Sequence, residues 1–203
     1  MRKIRNLLVF CLVLTVAVWL CGIAGDKQTL RRELVRLHVV AASDSVEDQT
    51  LKLRVKDAVV ESLRADMERM GSAEEAKAYL RENLPKIESL ANRILAEAGS
   101  EDKAIARLES EEFSARVYDT FSLPAGIYDA LRITIGPGEG KNWWCVAFPS
   151  LCLPATASGV EDAAACAGFP DSLTGALEGK EDYELRFWVL DAWGRLENFL
   201  HRS

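Results

Sequence analysis

The pattern of apolar and polar positions changes period several times along the chain. Residues 7–24 are almost wholly apolar and follow the basic residues Arg2, Lys3 and Arg5. Residues 34–41 then alternate, with Val35, Leu37 and Val39 on one face and Arg36 and His38 on the other, which predicts a strand. Ala42-Ser43-Asp44-Ser45 forms a turn into a helix. Ser45 lies three positions before Asp48, as in a capping box, and Glu47 and Asp48 suit the positive end of a helix dipole. Leu51, Val55, Ala58, Val59, Leu63, Met67 and Met70 recur at intervals of three and four, the spacing of a buried helical stripe. Gly71 stops this helix, and Ser72 with Glu75 opens another. Pro85 lacks an amide proton, so the second helix is expected to break at Asn83–Leu84 and to resume through Ile87, Leu90, Ala91, Ile94 and Leu95 until Gly99.

Beyond Gly99 the period becomes alternating, predicting strands at 104–109, 114–121, 127–135 and 143–148. Pro124-Ala125-Gly126 and the glycine-rich 136–140 connect the last three, which suggests an antiparallel meander. The glycine-rich loop lacks the spacing of a nucleotide fingerprint and is followed by a strand, so it reads as a hairpin loop. Residues 156–180 are weakly periodic and are expected to form an irregular connection. Over 183–200, Leu185, Trp188, Val189, Ala192, Trp193, Leu196, Phe199 and Leu200 fall at helical spacing. The other side of this helix mixes Glu184, Asp191 and Glu197 with Arg186 and Arg195, which favours packing on the sheet over lying on a membrane. The expected fold is α+β, a mainly antiparallel sheet with helices packed on one face. It would occupy one extracytoplasmic domain, 30–203, after an N-terminal segment, 1–25.

That N-terminal segment reads as an export signal. Its basic residues stay cytoplasmic and the remainder is translocated. Gly22 and Ala24 have the spacing that a signal peptidase accepts, which would release a chain beginning near Gly25; retention as a signal anchor is the alternative. Leu20 before Cys21 argues against a lipoprotein. The formal net charge is -6, and after the leader the basic residues are interspersed with acidic ones, which excludes nucleic acid as an expected partner. Of the five cysteines, Cys145, Cys152 and Cys166 lie beyond the leader. Either Cys145 and Cys152 close a small loop around Phe148-Pro149, with Cys166 left over, or all three stay reduced as small core residues.

Export of a compact domain raises the question of a secreted hydrolase. A nucleophile set of Cys145, His38 and Asp44 is conceivable, which would make the chain an exported cysteine hydrolase acting on cell-wall peptide. However, Cys145 follows two tryptophans on a strand instead of opening a helix, where a thiol is activated. His38 reads better as a satisfied polar residue of the sheet. The acidic pairs Glu111-Glu112 and Asp44-Glu47 read as solvated surface, and no spacing of metal ligands is present, so neither metal nor cofactor is expected.

The run Arg36-Leu37-His38-Val39-Val40-Ala41-Ala42-Ser43-Asp44-Ser45, with Asp48-Gln49 and 51–59 after it, resembles the opening of the stage II sporulation protein R family. Residues 123–132, Gly136 and Gly138 to Cys152 resemble the same family in the same order, including Lys141-Asn142-Trp143-Trp144-Cys145. The resemblance implies a signalling protein with no catalytic residue, exported from the forespore into the space between two membranes. There it would trigger a membrane-embedded aspartic protease of the mother cell to cleave the precursor of sigma-E. Trp143, Trp144 and Phe148 are then candidate contacts to the extracytoplasmic region of that protease, because aromatic anchors dominate interface energetics. His38, Ser43 and Asp44 would be a polar neighbour set, and Cys145 and Cys152 would hold the Phe148-Pro149 turn.

Overall fold

The computed structural model describes residues 2–117, 121–149, 171–178 and 184–201. In chain order the elements are α1 (Arg2–Glu33), β1 (Val35–Val40), α2 (Val46–Met67), α3 (Ala73–Glu97), β2 (Ala104–Phe113), β3 (Arg116–Val117), β4 (Ser122–Leu123), β5 (Gly126–Ile135), β6 (Asn142–Phe148), α4 (Asp171–Leu177) and α5 (Glu184–His201).

The caps form where the side chains require them. Ser45 accepts a hydrogen bond from the Asp48 amide, and Ser72 from the Glu75 amide, satisfying donors that a helix start leaves open. Gly99, at φ 76, provides the left-handed residue after α3. The expected break at Pro85 does not occur, and α3 runs through it unbroken. The local cost of an internal proline is about 3 kcal/mol. Leu80 and Ile87 on either side are buried against the sheet, so shared packing holds the two halves in line.

The main sheet has the order β2-β5-β1-β6. It is mainly antiparallel, but β1 runs parallel to β5, with Leu37 beside Leu131, and antiparallel to β6, with Leu37 beside Cys145. The expected meander is therefore corrected: β5 and β6 are consecutive in sequence, yet β1 lies between them. Every residue of β1 is buried, and a strand buried on both faces belongs inside a sheet. The first predicted strand after α3 also extends further than its alternation indicated, to Phe113, pairing with β5 along its whole length.

Helices α2 and α3 cover one face. Leu37, Val39, Leu131 and Ile133 meet Val55, Val59 and Leu63 of α2 and Leu80 and Ala91 of α3 in the principal core. On the opposite face a second cluster joins Ile23 and Leu30 of α1, Leu173 and Leu177 of α4 and Leu190 of α5 to Phe113, Tyr128, Ala130 and Val146 of the sheet. Helix α4 lies inside the stretch expected to be irregular; the rest of that stretch is outside the described residues. Gly194 lets α5 approach the turn before β5, because a Cβ there would come within 1.5 Å of the Ala125 carbonyl oxygen.

Helix α1 is continuous over 32 residues. Its apolar side chains from Ile4 to Leu20 are exposed, whereas Ile23, Asp26 and Leu30 are buried against the domain. It is long and apolar enough to cross a membrane, as a signal or anchor segment requires.

Candidate functional site

The turn after β1 is bound to the loop between β5 and β6. The Gly140 amide donates to the Ala41 carbonyl at 3.0 Å, the Glu139 amide to Ala42 at 3.2 Å, and the Lys141 amide to the Asp44 carboxylate at 2.7 Å. A Cβ at Gly140 would lie 2.2 Å from the Ser43 carbonyl oxygen, so only glycine fits this approach. The Ser43 hydroxyl donates to Asp48 at 2.5 Å and accepts from the Ser45 amide at 3.1 Å. Lys52 closes the knot, donating to Gln49 at 2.6 Å and to the Lys141 carbonyl at 3.0 Å. Burial lowers the Lys52 pKa against the opposing pull of Asp44. Ser43 and Asp44 thus fix the loop that leads into Asn142 and Trp143.

From that loop β6 sends its two tryptophans to opposite faces. Trp143 stands on the side of α2, 37% exposed, with the Lys56 ammonium 4.7 Å above its ring. Trp144 is half-buried on the other side, stacked on His38 at 3.8 Å and edge-on to Phe113 at 4.8 Å. The Arg116 guanidinium lies 5.5 Å from the Trp144 ring.

His38 is almost fully enclosed. Its Nδ1 lies 2.7 Å from Glu111 and its Nε2 2.9 Å from the Asn142 side-chain oxygen. Arg132 approaches the same Glu111 oxygen at 3.4 Å. The second Glu111 oxygen is buried with no hydrogen-bond partner among the described residues. One strand position away, Arg36 is completely buried, donating from Nε to the Cys145 carbonyl at 3.1 Å with its guanidinium 4.3 Å from the Phe113 ring. The open half of this face, beside the cluster, carries a shallow cavity of about 260 Å³ lined by Ile105, Arg107, Glu109, Arg132 and Thr134.

The expected residues therefore fall into separate places. His38 and Trp144 form one stack, Trp143 faces the other way, and Ser43 and Asp44 tie the adjoining turn. Phe148 is 2% exposed in the principal core, before a cis bond to Pro149. Glu111 is not the solvated residue that its acidic neighbourhood suggested; it is the partner of His38. The signal that would have found it is the continuation of the alternation Arg107, Glu109, Glu111 past 109, the expected end of the strand. Asn142, Arg132 and Phe113 were also missed, because they are joined to His38 only by strand order.

The nucleophile set is not assembled. Leu37 pairs with Cys145 and His38 with Trp144, so the histidine and the cysteine project from opposite faces of the sheet. Asp44 is engaged with the Lys141 amide. Cys145 is not among the free cysteines of the described residues. Its expected partner Cys152, and Cys166, lie outside the described residues.

Residues 31–158, the whole main sheet and both helices on its first face, match the model of the family described as stage II sporulation protein R. The chain belongs to that family. It is 36% identical over 121 residues to the stage II sporulation protein R of Bacillus subtilis (strain 168), a match covering 60% of this chain and 54% of the relative. The chain thus matches about half the length of that curated relative. No solved structure is a significant match. The family match takes in the His38 stack, both tryptophans of β6 and the Gly140 knot, and it ends before α4 and α5. The relative is named for sporulation and not for a catalysed reaction.

Proposed function

We propose that the chain is an intercellular signal of sporulation, exported from the forespore, that activates a membrane-embedded aspartic protease of the mother cell and so promotes processing of the sigma-E precursor. Membership of the stage II sporulation protein R family carries this reading. An N-terminal helix with an exposed apolar stretch supports export. Binding would act through a difference in affinity between the inactive and active forms of the protease, since a ligand shifts an equilibrium only that far.

Within this reading, Trp143 with Lys56 and the rim of Trp144 with Arg116 are the contact surface. Both tryptophans are partly accessible on an outer strand, and tryptophan and arginine are the residues that most often anchor an interface. Buried His38 and core Phe148 hold that strand in register instead of touching the partner, and Ser43 and Asp44 set the turn beside it. Cys145 pairs with Cys152 and fixes the end of the strand.

Deletion of the gene in a sporulating host, scored by cleavage of the sigma-E precursor, tests the function. Cleavage that proceeds unchanged would overturn it. Restoring the gene with Cys145→Ala or Cys152→Ala separates a structural cysteine from a nucleophile. Two variants that behave alike support the structural role, and loss confined to Cys145→Ala would indicate catalysis.

A further inference from the structure

We propose that the leader is retained, and that the exported domain stands on the bilayer on a two-helix foot, with α1 spanning the membrane and the first turns of α5 resting in its headgroup layer. The length of α1 is the first observation. At about 1.5 Å per residue its 32 residues reach about 48 Å, whereas the apolar core of a bilayer is about 30 Å thick. With Arg2, Lys3 and Arg5 on the cytoplasmic side, about 20 residues from Asn6 cross, to near Gly25, and about eight, up to Glu33, remain beyond the hydrocarbon. The outer end of the span and the residues just beyond it are the docked ones: Ile23 is 0%, Asp26 5% and Leu30 1% exposed.

Helix α5 holds this end of α1 through charges. Arg186 meets Asp26 at 2.5 Å, and Glu197 receives both Lys27 at 2.6 Å and Arg31 at 3.2 Å. The charged residues of α1 resume at Asp26, immediately after the apolar stretch, so the ion pairs lie just outside the hydrocarbon. The point of expected cleavage, near Gly25, is therefore in the middle of an unbroken helix whose flanks are both built into the domain. A cut there would remove Ile23 from the second core. It would also leave Asp26, the buried partner of Arg186, at a chain end.

The same contacts fix the height of α5. Arg186 lies against Gly22 as well as Asp26, where a Cβ on Gly22 would be 3.9 Å from its guanidinium. Leu185 and Trp188, 64% and 61% exposed, belong to the same first turns. They consequently sit at the level where the span leaves the membrane. An indole with one apolar and one polar edge is suited to that layer. Lipid is the occupant of this face because its apolar surface is continuous with the span itself.

The full chain, expressed with its own leader in a bacterium, tests the anchor. The expected product is the intact 22.5 kDa chain, in membranes and resistant to alkaline carbonate. A soluble exported protein beginning near Gly25 would overturn retention. For the foot, the purified full chain is reconstituted into phosphatidylcholine–phosphatidylglycerol vesicles containing lipids brominated near the headgroup. In a Trp19→Phe background, Trp188→Phe should remove most of the quenchable emission, because Trp188 is then the principal indole at that depth. Trp188 emission insensitive to bromine would overturn the foot. If that emission instead responded only to an added protease ectodomain, the α5 face would be assigned to a protein partner.

Discussion

The two faces of the main sheet are built from the same four strands but stabilised in different ways. The face under α2 and α3 is an apolar layer in which Leu37, Val39, Leu131 and Ile133 pack with the apolar stripes of those two helices. The opposite face buries Arg36, His38 and Glu111, and its apolar part is completed by segments from both ends of the chain, α1 and α5. The first face supplies cohesion and tolerates isolation. The second depends on polar groups that must be paired and on a helix that is also long and apolar enough to cross a membrane.

The sharpest way to break that comparison is to compare a cavity with an obstruction. Leu131→Ala on the first face should cost about 2–5 kcal/mol, as buried leucine truncations do, by equal amounts in detergent and in lipid. A cost that changed with the membrane environment would show the faces to be coupled. Gly194→Ala should cost roughly 1–3 kcal/mol or more through the clash with the Ala125 carbonyl, measured by denaturant unfolding of the full chain. Its effect should appear first as detachment of α5, detected by loss of protection at the buried Leu190, while the α2–α3 face stays protected from hydrogen exchange. Simultaneous opening of both faces would contradict a separable second layer.

Smaller effects sharpen the contrast between polar groups. Glu111→Gln removes the charge that faces His38 and Arg132, and should cost about 1–3 kcal/mol by equilibrium unfolding. An unchanged midpoint would mean that the cluster is stabilising neither strand. On the helix side, Tyr79 donates to the Asp66 carboxylate, and that hydrogen bond together with burial raises its pKa to about 12. A pKa raised on folding favours the protonated form, so this contribution is fully present below pH 10 and fades as the pH rises towards 12. Tyr79→Phe should lose about 1 kcal/mol near neutrality and flatten the alkaline limb. Asp129 contributes at the other end of the scale: burial opposes its charge, but the hydrogen bonds from Ser110 and Lys77 outweigh burial and lower its pKa. That stabilisation is present above its ordinary value of 3.8 and is lost as the pH falls through the lowered one, so Lys77→Met should weaken the acid dependence below about pH 4.

Local features were legible in the sequence where one short range of residues decides them. Ser45 and Ser72 cap helices because the amides they serve are three residues away. The alternation of β1 assigned Val35, Leu37 and Val39 to a common face, and the family assignment followed from short ordered segments. Strand order was not legible. The insertion of β1 between β5 and β6 is set by which apolar strand most needs two neighbours, and no local period records that. Pro85 misled for a related reason, since its penalty is local while the burial of Leu80 and Ile87 is shared across the sheet. The His38 cluster could not be assembled because Glu111, Arg132 and Asn142 come from three different strands.

The central position of β1 also imposes an order in time. This strand is among the first segments to emerge, yet its neighbour β5 is synthesised about 90 residues later, and pairings of such long separation form slowly. The α2–α3 pair can assemble early from adjacent sequence, but β1 stays without a sheet until the segment 126–148 has also emerged. A chain stalled before that segment therefore cannot present the surface around Trp143 and Trp144. The topology itself therefore withholds that surface from a chain that has not been made as far as β6.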